Sequence, residues 1–493
     1  MATTHFNIHE DTTVIFGPPG TGKTTRLVNE LEQMLLQGTQ PNMIGYLAFT
    51  NKAADVVKQK VKQFGNDFPN IRTIHSFAYR NIPKKKLLNY FDRLRIKKLT
   101  GIDFLPTTTS SDEEPTMMGK ASWIYMAVRS GSYTMDEACQ AAGVYGVTQN
   151  QLEEKFLYFD EYKKKVDKID FSDMLYNYID EGDVPILDYL IVDEAQDLSF
   201  AQWEVIKKLA TKTQKRVIVA GDDDQSIFRW AGADTTRILN IKARHEVLGQ
   251  TYRFGSRIKE LADHIISKVK VRKEKIWLPN PKQVSEIYPH ASLEQLDLKE
   301  GTWLLLARTK SALPVFEQLC RKQNIFFYSQ TSETMTEENV YPIFLWNKLK
   351  AGGEITKNQA RLLLRHIAKG DIEFEGRREL PDIINMRDLV LFGLRSTGDW
   401  FDVLNISSTV ANYIKRCEDN GEDISSEPRV KISTMHNCKG DEADNVCIYT
   451  GFSHIVERSR DTDDEHKVWY VGITRAKKRL YLLDTGAKYE YSF

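Results

Sequence analysis

GPPGTGKT, from Gly17 to Thr24, stands between the apolar run Val14-Ile15-Phe16 and the helix-forming stretch Leu27 to Leu36. A strand that enters a glycine-rich turn and then opens a helix aims several backbone N–H groups, and the positive end of the helix, at one anion. The G-x-x-x-x-G-K-T spacing fits a nucleoside triphosphate. Gly17, Pro18, Pro19, Gly20, Thr21, Gly22, Lys23, Thr24 and Thr25 form the cradle. Lys23 reaches the β- and γ-phosphates, and the Thr24 hydroxyl holds Mg²⁺, which neutralises charge as the γ-phosphoryl group leaves. The order strand, turn, helix sets an α/β fold.

Further along, ILDYLIVDEAQD (Ile186 to Asp197) is an apolar strand that ends in paired acids. Asp193 is suited to Mg²⁺ and Glu194 to polarising an attacking water. Far more chain separates Lys23 from Asp193 than the roughly 30 residues of one βα unit, so a large insertion is expected from about Arg80 to Asp170. It reads as mostly helical, with a polar loop at PTTTSSDEEPT (Pro106 to Thr116). Its entry is basic: Arg80, Lys84, Lys85, Lys86, Arg93, Arg95, Lys97 and Lys98 face one acid, Asp92, with Tyr90 and Phe91 among them. A phosphate-contacting surface and a solvated amphipathic helix are equally good readings. Lys163 to Lys165 reads as a solvated face.

A third strand, Arg216 to Ala220, leads into GDDDQSIFRWAGAD (Gly221 to Asp234). Gln225 follows the strand end, where it meets a γ-phosphate. Phe228 and Trp230 in a polar loop suit base stacking, with packing against a neighbouring domain as the alternative. Past Gln250-Thr251-Tyr252-Arg253 the pattern restarts with strands Trp303 to Ala307, Val430 to Ser433, Val446 to Tyr449 and Leu480 to Leu483. A second mostly helical insertion separates them between Gln330 and Pro428. This second α/β unit has no phosphate loop, yet it carries Arg253 at its entrance and Arg475 in YVGITRAKKRLYLL, both suited to stabilising transition-state charge on a γ-phosphate.

Lys plus Arg equals Asp plus Glu, 68 against 68, so no global positive field draws in a polyanion and a nucleic-acid partner needs a local groove. Five cysteines without a C-x-x-C pair signal neither a disulfide framework nor a zinc module, and point to a reducing compartment. His75 and His436 lack acid or cysteine partners at ligand spacing. No secretion signal or long uncharged apolar run is present, so a soluble, cytoplasmic protein is expected.

These blocks, in this order, resemble superfamily 1 subclass A DNA helicases of the UvrD/Rep/PcrA type, as a compact member. GPPGTGKT is similar to motif I, AFTNKAA (Ala48 to Ala54) to Ia, TIHSFA (Thr73 to Ala78) to Ib and VDEAQD to II. GDDDQSIFRWAGAD resembles motif III, QTYR IV, STMHNCKGDEAD (Ser433 to Asp444) V and YVGITRA VI, and DFSDML (Asp170 to Leu175) adds to the likeness. The resemblance implies two RecA-like parallel-sheet domains in tandem, each with a mainly helical insertion. Domain 1A would take 1–80 and 171–248, 1B 81–170, 2A 249–330 and 429–493, and 2B 331–428. It implies an ATPase centre of Lys23, Thr24, Asp193, Glu194, Gln225, Arg253 and Arg475, with Tyr252 on adenine and Glu442 near the ribose. Phe49, Thr50, Asn51, His75, Phe228, Trp230 and His436 would line a single-strand track.

The activity so implied is ATP- and Mg²⁺-dependent translocation along single-stranded DNA and unwinding of duplex from single-strand/duplex junctions, 3′ to 5′, in replication, repair or recombination. A protein loading factor is an expected partner. Alternatives are a protein-displacing remodeller with little unwinding and an RNA-directed motor. The sequence departs from the family in four places. The short N-terminus has no adenine-reading glutamine motif, Ala231 stands for the arginine of W-R-G-A, and Asp441 for the leucine of K-G-L-E. The second insertion is also shorter and lacks an R-F-F-E-R-K-E-like entry. The chain ends soon after its last strand, so no fused nuclease is expected, and the lack of a long uncharged apolar run sets aside a membrane partner.

Overall fold

A computed structural model describes residues 6–65, 67–104, 117–131, 133–144, 146–329, 332, 335–367, 371, 380–458 and 462–493. The loop expected at Pro106 to Thr116, Gln330 and the side chain of Ala231 lie outside the described residues. The chain divides into two compact units, Met1–Val284 with Ser459–Tyr470, and Ser285–Arg458 with Val471–Phe493. The expected 248/249 boundary falls inside the first of these.

The first unit holds strands β1 (Thr12–Phe16), β2 (Ile44–Ala48), β3 (Ile71–Thr73), β4 (Lys86–Leu87), β5 (Lys168–Ile169), β6 (Leu187–Val192), β7 (Thr213–Gly221) and β8 (Arg244–Val247). Six of them form a parallel sheet in the order β3-β2-β6-β7-β1-β8. All five residues of β1 and of β2 are buried, as expected of strands covered on both faces by crossover helices. Because β7 lies between β6 and β1, the segments after these three strands emerge side by side at one edge, where ligands of open parallel sheets bind.

The first insertion leaves and rejoins this unit through a short parallel pair, β4 with β5. It has its own core, which includes Ile96, Phe104, Tyr125, Phe156 and Phe159, the Phe104 and Phe159 rings stacked 4.2 Å apart. The basic entry forms a surface helix, Tyr90–Thr100, closed by a capping box between Asn89 and Asp92. Arg93 grips Asp103 through two hydrogen bonds of 2.7 and 2.6 Å, while Tyr90 and Phe91 face outward.

Lys163 corrects the expectation of a solvated face. Lys164 and Lys165 are exposed, but the Lys163 side chain is only 6 % exposed. Its ammonium lies 3.1 Å from Asp160, 2.7 Å from Asp170 and 2.8 Å from Asp173, and donates to the Tyr125 hydroxyl at 3.1 Å. Neighbouring helical residues point about 100° apart, so adjacent lysines need not share an environment. This cluster fixes the long helix Val147–Val166 to the helix Phe171–Glu181, where the insertion ends.

The second unit holds β9 (Glu286–Ala291), β10 (Trp303–Ala307), β11 (Phe327–Ser329), β12 (Ile355–Thr356), β13 (Ile383–Ile384), β14 (Val430–Thr434), β15 (Ala443–Tyr449) and β16 (Ala476–Leu483). Its main sheet is again six-stranded and parallel, in the order β11-β14-β10-β15-β16-β9. Unlike the first insertion, the helical segment between β11 and β14 shares one core with the sheet: Trp346, Leu363, Trp400 and Tyr413 belong to the same buried cluster as Trp303, Leu305 and Ile432. All five cysteines are free and buried. Among the described residues no helix is long and apolar enough to cross a membrane.

Candidate functional site

The chain leaves β1 through a turn that only glycine can make. Gly20 and Gly22 have φ of 72° and 80°, in the left-handed region. A Cβ on Gly20 would also stand 2.5 Å from Arg253 Cβ and 2.7 Å from Thr251 Oγ1. The helix Lys23–Leu36 then starts at Gly22 without a side-chain cap, so its first-turn N–H groups point at the turn. Bare backbone donors at a helix start form a cradle for phosphate oxygens.

Lys23 and Thr24, on the first turn, meet the acids that follow β6. The Lys23 ammonium lies 3.1 Å from Glu194 Oε1, and the Thr24 hydroxyl donates to Asp193 Oδ2 at 3.3 Å. Tyr46 donates to the same oxygen at 3.0 Å, and the Glu194 N–H donates to Asp193 Oδ1 at 2.9 Å. Glu194 adopts φ of 53°, a conformation that costs a non-glycine residue on the order of 1 kcal/mol or more and turns its carboxylate toward Lys23. Burial, reinforced by the Glu194 charge and opposed by Lys23, lifts the Asp193 carboxyl to about 6. Burial works against the Lys23 charge, yet Glu194, Asp193 and Asp222 hold its ammonium above the ordinary value. Two carboxylates facing one lysine leave an excess of negative charge, which a hard divalent cation between Thr24 and Asp193 would relieve. The residues therefore fit both a triphosphate and Mg²⁺.

Gln225, after β7, donates to Asp222 Oδ2 at 2.7 Å. Gln196, which sequence reasoning did not single out, links this turn to the acids. It donates to Glu194 Oε2 at 2.6 Å and accepts from the Asp222 N–H at 2.9 Å. The signal was available: a glutamine within VDEAQD, two residues beyond an apolar strand's paired acids. The QTYR segment also packs on the phosphate loop, the Thr251 hydroxyl donating to Pro19 O at 2.7 Å and the Tyr252 N–H to Gly20 O at 2.8 Å. Tyr252 is 70 % exposed, so its ring face is open to a planar ligand. Arg253 lies beside Gly20, as the close approach of its Cβ requires.

A row of aromatic side chains runs past the same strand ends. Phe49 stacks on Phe228 with centroids 6.2 Å apart at 20°, and Phe228 meets Trp230 at 6.4 Å and 62°. From the first insertion, the Trp123 indole donates to Trp230 O. Thr50 and Thr73 each cap a helix, accepting from the N–H groups of Ala53 and Ser76, and so present Asn51 and His75 on first turns. His75 packs edge-on against Phe171, an exposed aromatic that sequence reasoning passed over within DFSDML. Burial lowers His75 to about 4, so it is neutral at physiological pH.

Three expected residues lie in the second unit. Arg475 is buried, its Nε donating to Val471 O at 2.9 Å and its Nη2 to Thr474 Oγ1 at 3.3 Å. Glu442 pairs with Lys477 at 2.7 Å. His436, just after β14, is lowered to about 3 by burial and then by the Arg308 charge, and is likewise neutral. Among the described residues no group of three His, Cys, Asp or Glu side chains forms a metal cluster.

Residues 2–246 match the UvrD/REP helicase N-terminal domain and residues 394–485 the UvrD-like helicase C-terminal domain. The chain is 30 % identical over 298 residues to the ATP-dependent DNA helicase PcrA of Bacillus subtilis, covering 55 % of this chain and 39 % of that protein. It is 27 % identical over 295 residues to the ATP-dependent DNA helicase Rep of Buchnera aphidicola, covering 53 % and 43 %. The match thus spans less than half the length of these relatives. A solved arterivirus nonstructural protein 10 helicase aligns over 96 % of this chain and 59 % of its own at 11 % identity, with a TM-score of 0.35. With its N-terminal and C-terminal helicase domains both matched, this chain belongs to the UvrD/Rep helicase family.

Proposed function

We propose that the chain hydrolyses ATP to translocate along single-stranded DNA and to unwind duplex at single-strand/duplex junctions, moving 3′ to 5′. The observation that carries this reading is the convergence of Lys23, Thr24, Asp193 and Glu194 on one glycine cradle. The names of the two relatives, both ATP-dependent DNA helicases, support it.

Phosphate oxygens entering the cradle compete with Glu194 for the Lys23 ammonium. Glu194, still held by Gln196, is then available to orient a water and accept its proton. Thr24 and Asp193 would hold Mg²⁺, which would supply charge neutralisation at the phosphates. Gln225 reads the γ-phosphate, Arg253 and Arg475 stabilise the charge that develops on it, Tyr252 stacks on the base and Glu442 approaches the ribose. Phe49, Phe228 and Trp230 stack on the bases of the strand, helped by Thr50 and Asn51. The neutral His75 and His436 contribute stacking and hydrogen bonds without ion pairs to phosphate. The four-part 1A/1B/2A/2B organisation, a protein loading factor and an intracellular site of action belong to the same proposal.

ATPase assays with and without single-stranded DNA or RNA, run beside Lys23→Ala, test it. Turnover at the wild-type level without Lys23, or stimulation by RNA alone, contradicts it. A second reading, a translocase that strips bound proteins with little unwinding, is favoured by the shared core of the second insertion and second sheet. DNA-stimulated ATPase with negligible strand separation would select that reading.

A further inference from the structure

A lysine outside every motif sits at the centre of the nucleotide site's supports. Lys275 has no exposed side-chain surface, and neither do Asp222 and Asp223, with Asp224 nearly so. Its ammonium lies 3.1 Å from Asp222 Oδ1, 2.5 Å from Asp223 Oδ1 and 2.9 Å from Asp224 Oδ2. Arg272 adds a two-pronged grip on Asp224 at 2.8 and 2.7 Å, and the Lys273 N–H donates to Asp223 Oδ2 at 2.7 Å. Burial opposes the Lys275 charge, but the three aspartates overrule it and hold the ammonium above its ordinary value.

Packing apolar residues of similar volume in such a place is often as stabilising as burying ions, so stability alone does not account for this cluster. What it determines is direction. Asp222 spends one oxygen on Lys275 and the other on Gln225, while its N–H holds Gln196 and, through it, Glu194. In the other direction, the segment carrying Lys275 pairs at Leu278 with Gly249 and Thr251, and Thr251 bonds to Pro19 of the phosphate loop. With the Lys23–Glu194 contact, the hydrogen bonds and ion pairs close a ring around the nucleotide cradle.

We propose that Lys275, assisted by Arg272, is a positioning residue for ATP hydrolysis. It keeps three adjacent carboxylates from repelling one another, so that Gln225 and the Gln196–Glu194 pair stay aimed at the cradle. The inference rests on the function proposed above and adds to it a residue that touches no substrate.

Three variants and one control test it. Lys275→Met leaves the three aspartates with Arg272 as their counter-charge, and is expected to melt early. Lys275→Met combined with Asp223→Asn keeps the cluster at one net negative charge, as in the native protein, so folding returns while Asp222 lacks its guide. The expected result for this pair is a kcat at least tenfold below wild type with a fluorescent-ATP Kd changed less than threefold. Arg272→Lys should lower kcat at least threefold at unchanged Kd. The control, Lys163→Met, disrupts the other lysine buried among three aspartates and should leave kcat per folded molecule within twofold. Recovery of wild-type kcat in the charge-balanced pair overturns the inference, as does unchanged kcat in Arg272→Lys or an equal kcat loss in the control. A wild-type chain without ATPase activity refutes the proposed function instead, before any variant is compared.

Discussion

Lys23→Ala separates the chemistry of the phosphate loop from its contribution to stability. The substitution removes the cation facing Asp193 and Glu194, and breaking a buried pair commonly costs about 3–5 kcal/mol. Here the loss is capped. Burial already holds Asp193 at about 6, against an ordinary 3.8, so its carboxyl can take up a proton. The folded carboxyl binds that proton more tightly than the unfolded one, so native stability falls as pH rises from about 4 to about 6 and is level above. Without Lys23 the folded value climbs further, and the additional loss opens only above pH ~6. At pH ~7.5 protonating Asp193 bounds the loss at about 2 kcal/mol, or about 3 °C in melting temperature for a unit of roughly 300 residues. Glu194 is nearly a third exposed and adds little. Melting curves at both pH values in EDTA, without nucleotide, should show the variant's deficit shrinking at the lower pH. Hydrolysis should fall on the order of 10²–10³-fold at either pH. A deficit that grows on acidification refutes the electrostatic reasoning, and retained turnover refutes the role of the loop.

Other substitutions probe separate parts of the account. Gly20→Ala places a Cβ 2.5 Å from Arg253 Cβ at a φ of 72°, and should abolish measurable nucleotide binding in equilibrium titrations. Gln196→Ala removes the link between Glu194 and Asp222. Charged hydrogen bonds are worth about 1.5–3 kcal/mol, so steady-state kinetics should show kcat down about 10–150-fold with KM for ATP little changed. Trp230→Ala should weaken single-strand affinity by about 1–3 kcal/mol, read as a rightward shift of the ATPase stimulation curve; an unchanged curve assigns Trp230 to packing against Phe228. Lys163→Met should lower thermal stability by removing the cation shared by Asp160, Asp170 and Asp173, of which Asp173 keeps Arg129, while sparing turnover of the folded fraction, as activity per molecule below the melt would record.

The phosphate loop, the acids after β6 and the turn after β7 were legible because each is a local event: an apolar strand ends and a chemically distinctive group follows. Parallel sheets make such strands continuous apolar runs, and Val14 to Phe16 or Trp303 to Ala307 announce themselves. Lys163 and Lys275 were illegible for the opposite reason. Both lie in charge-rich stretches, YKKKV and RKEKI, that look solvated, and both are buried because aspartates distant in sequence or in another turn converge on them. The second insertion was read as a separate element from its helical pattern, but amphipathic helices do not reveal which core receives them; Trp346 and Trp400 join that of the second sheet. Gln196 and Phe171 sat inside quoted motifs, and only contacts across the sheet's edge marked them out.

Strand displacement on two otherwise identical duplexes, one with a 3′ and one with a 5′ single-stranded tail, tests the central claim most directly. The expected result is ATP- and Mg²⁺-dependent separation of the 3′-tailed duplex, lost in Lys23→Ala. Separation of the 5′-tailed duplex alone, or of either duplex without ATP, would contradict it.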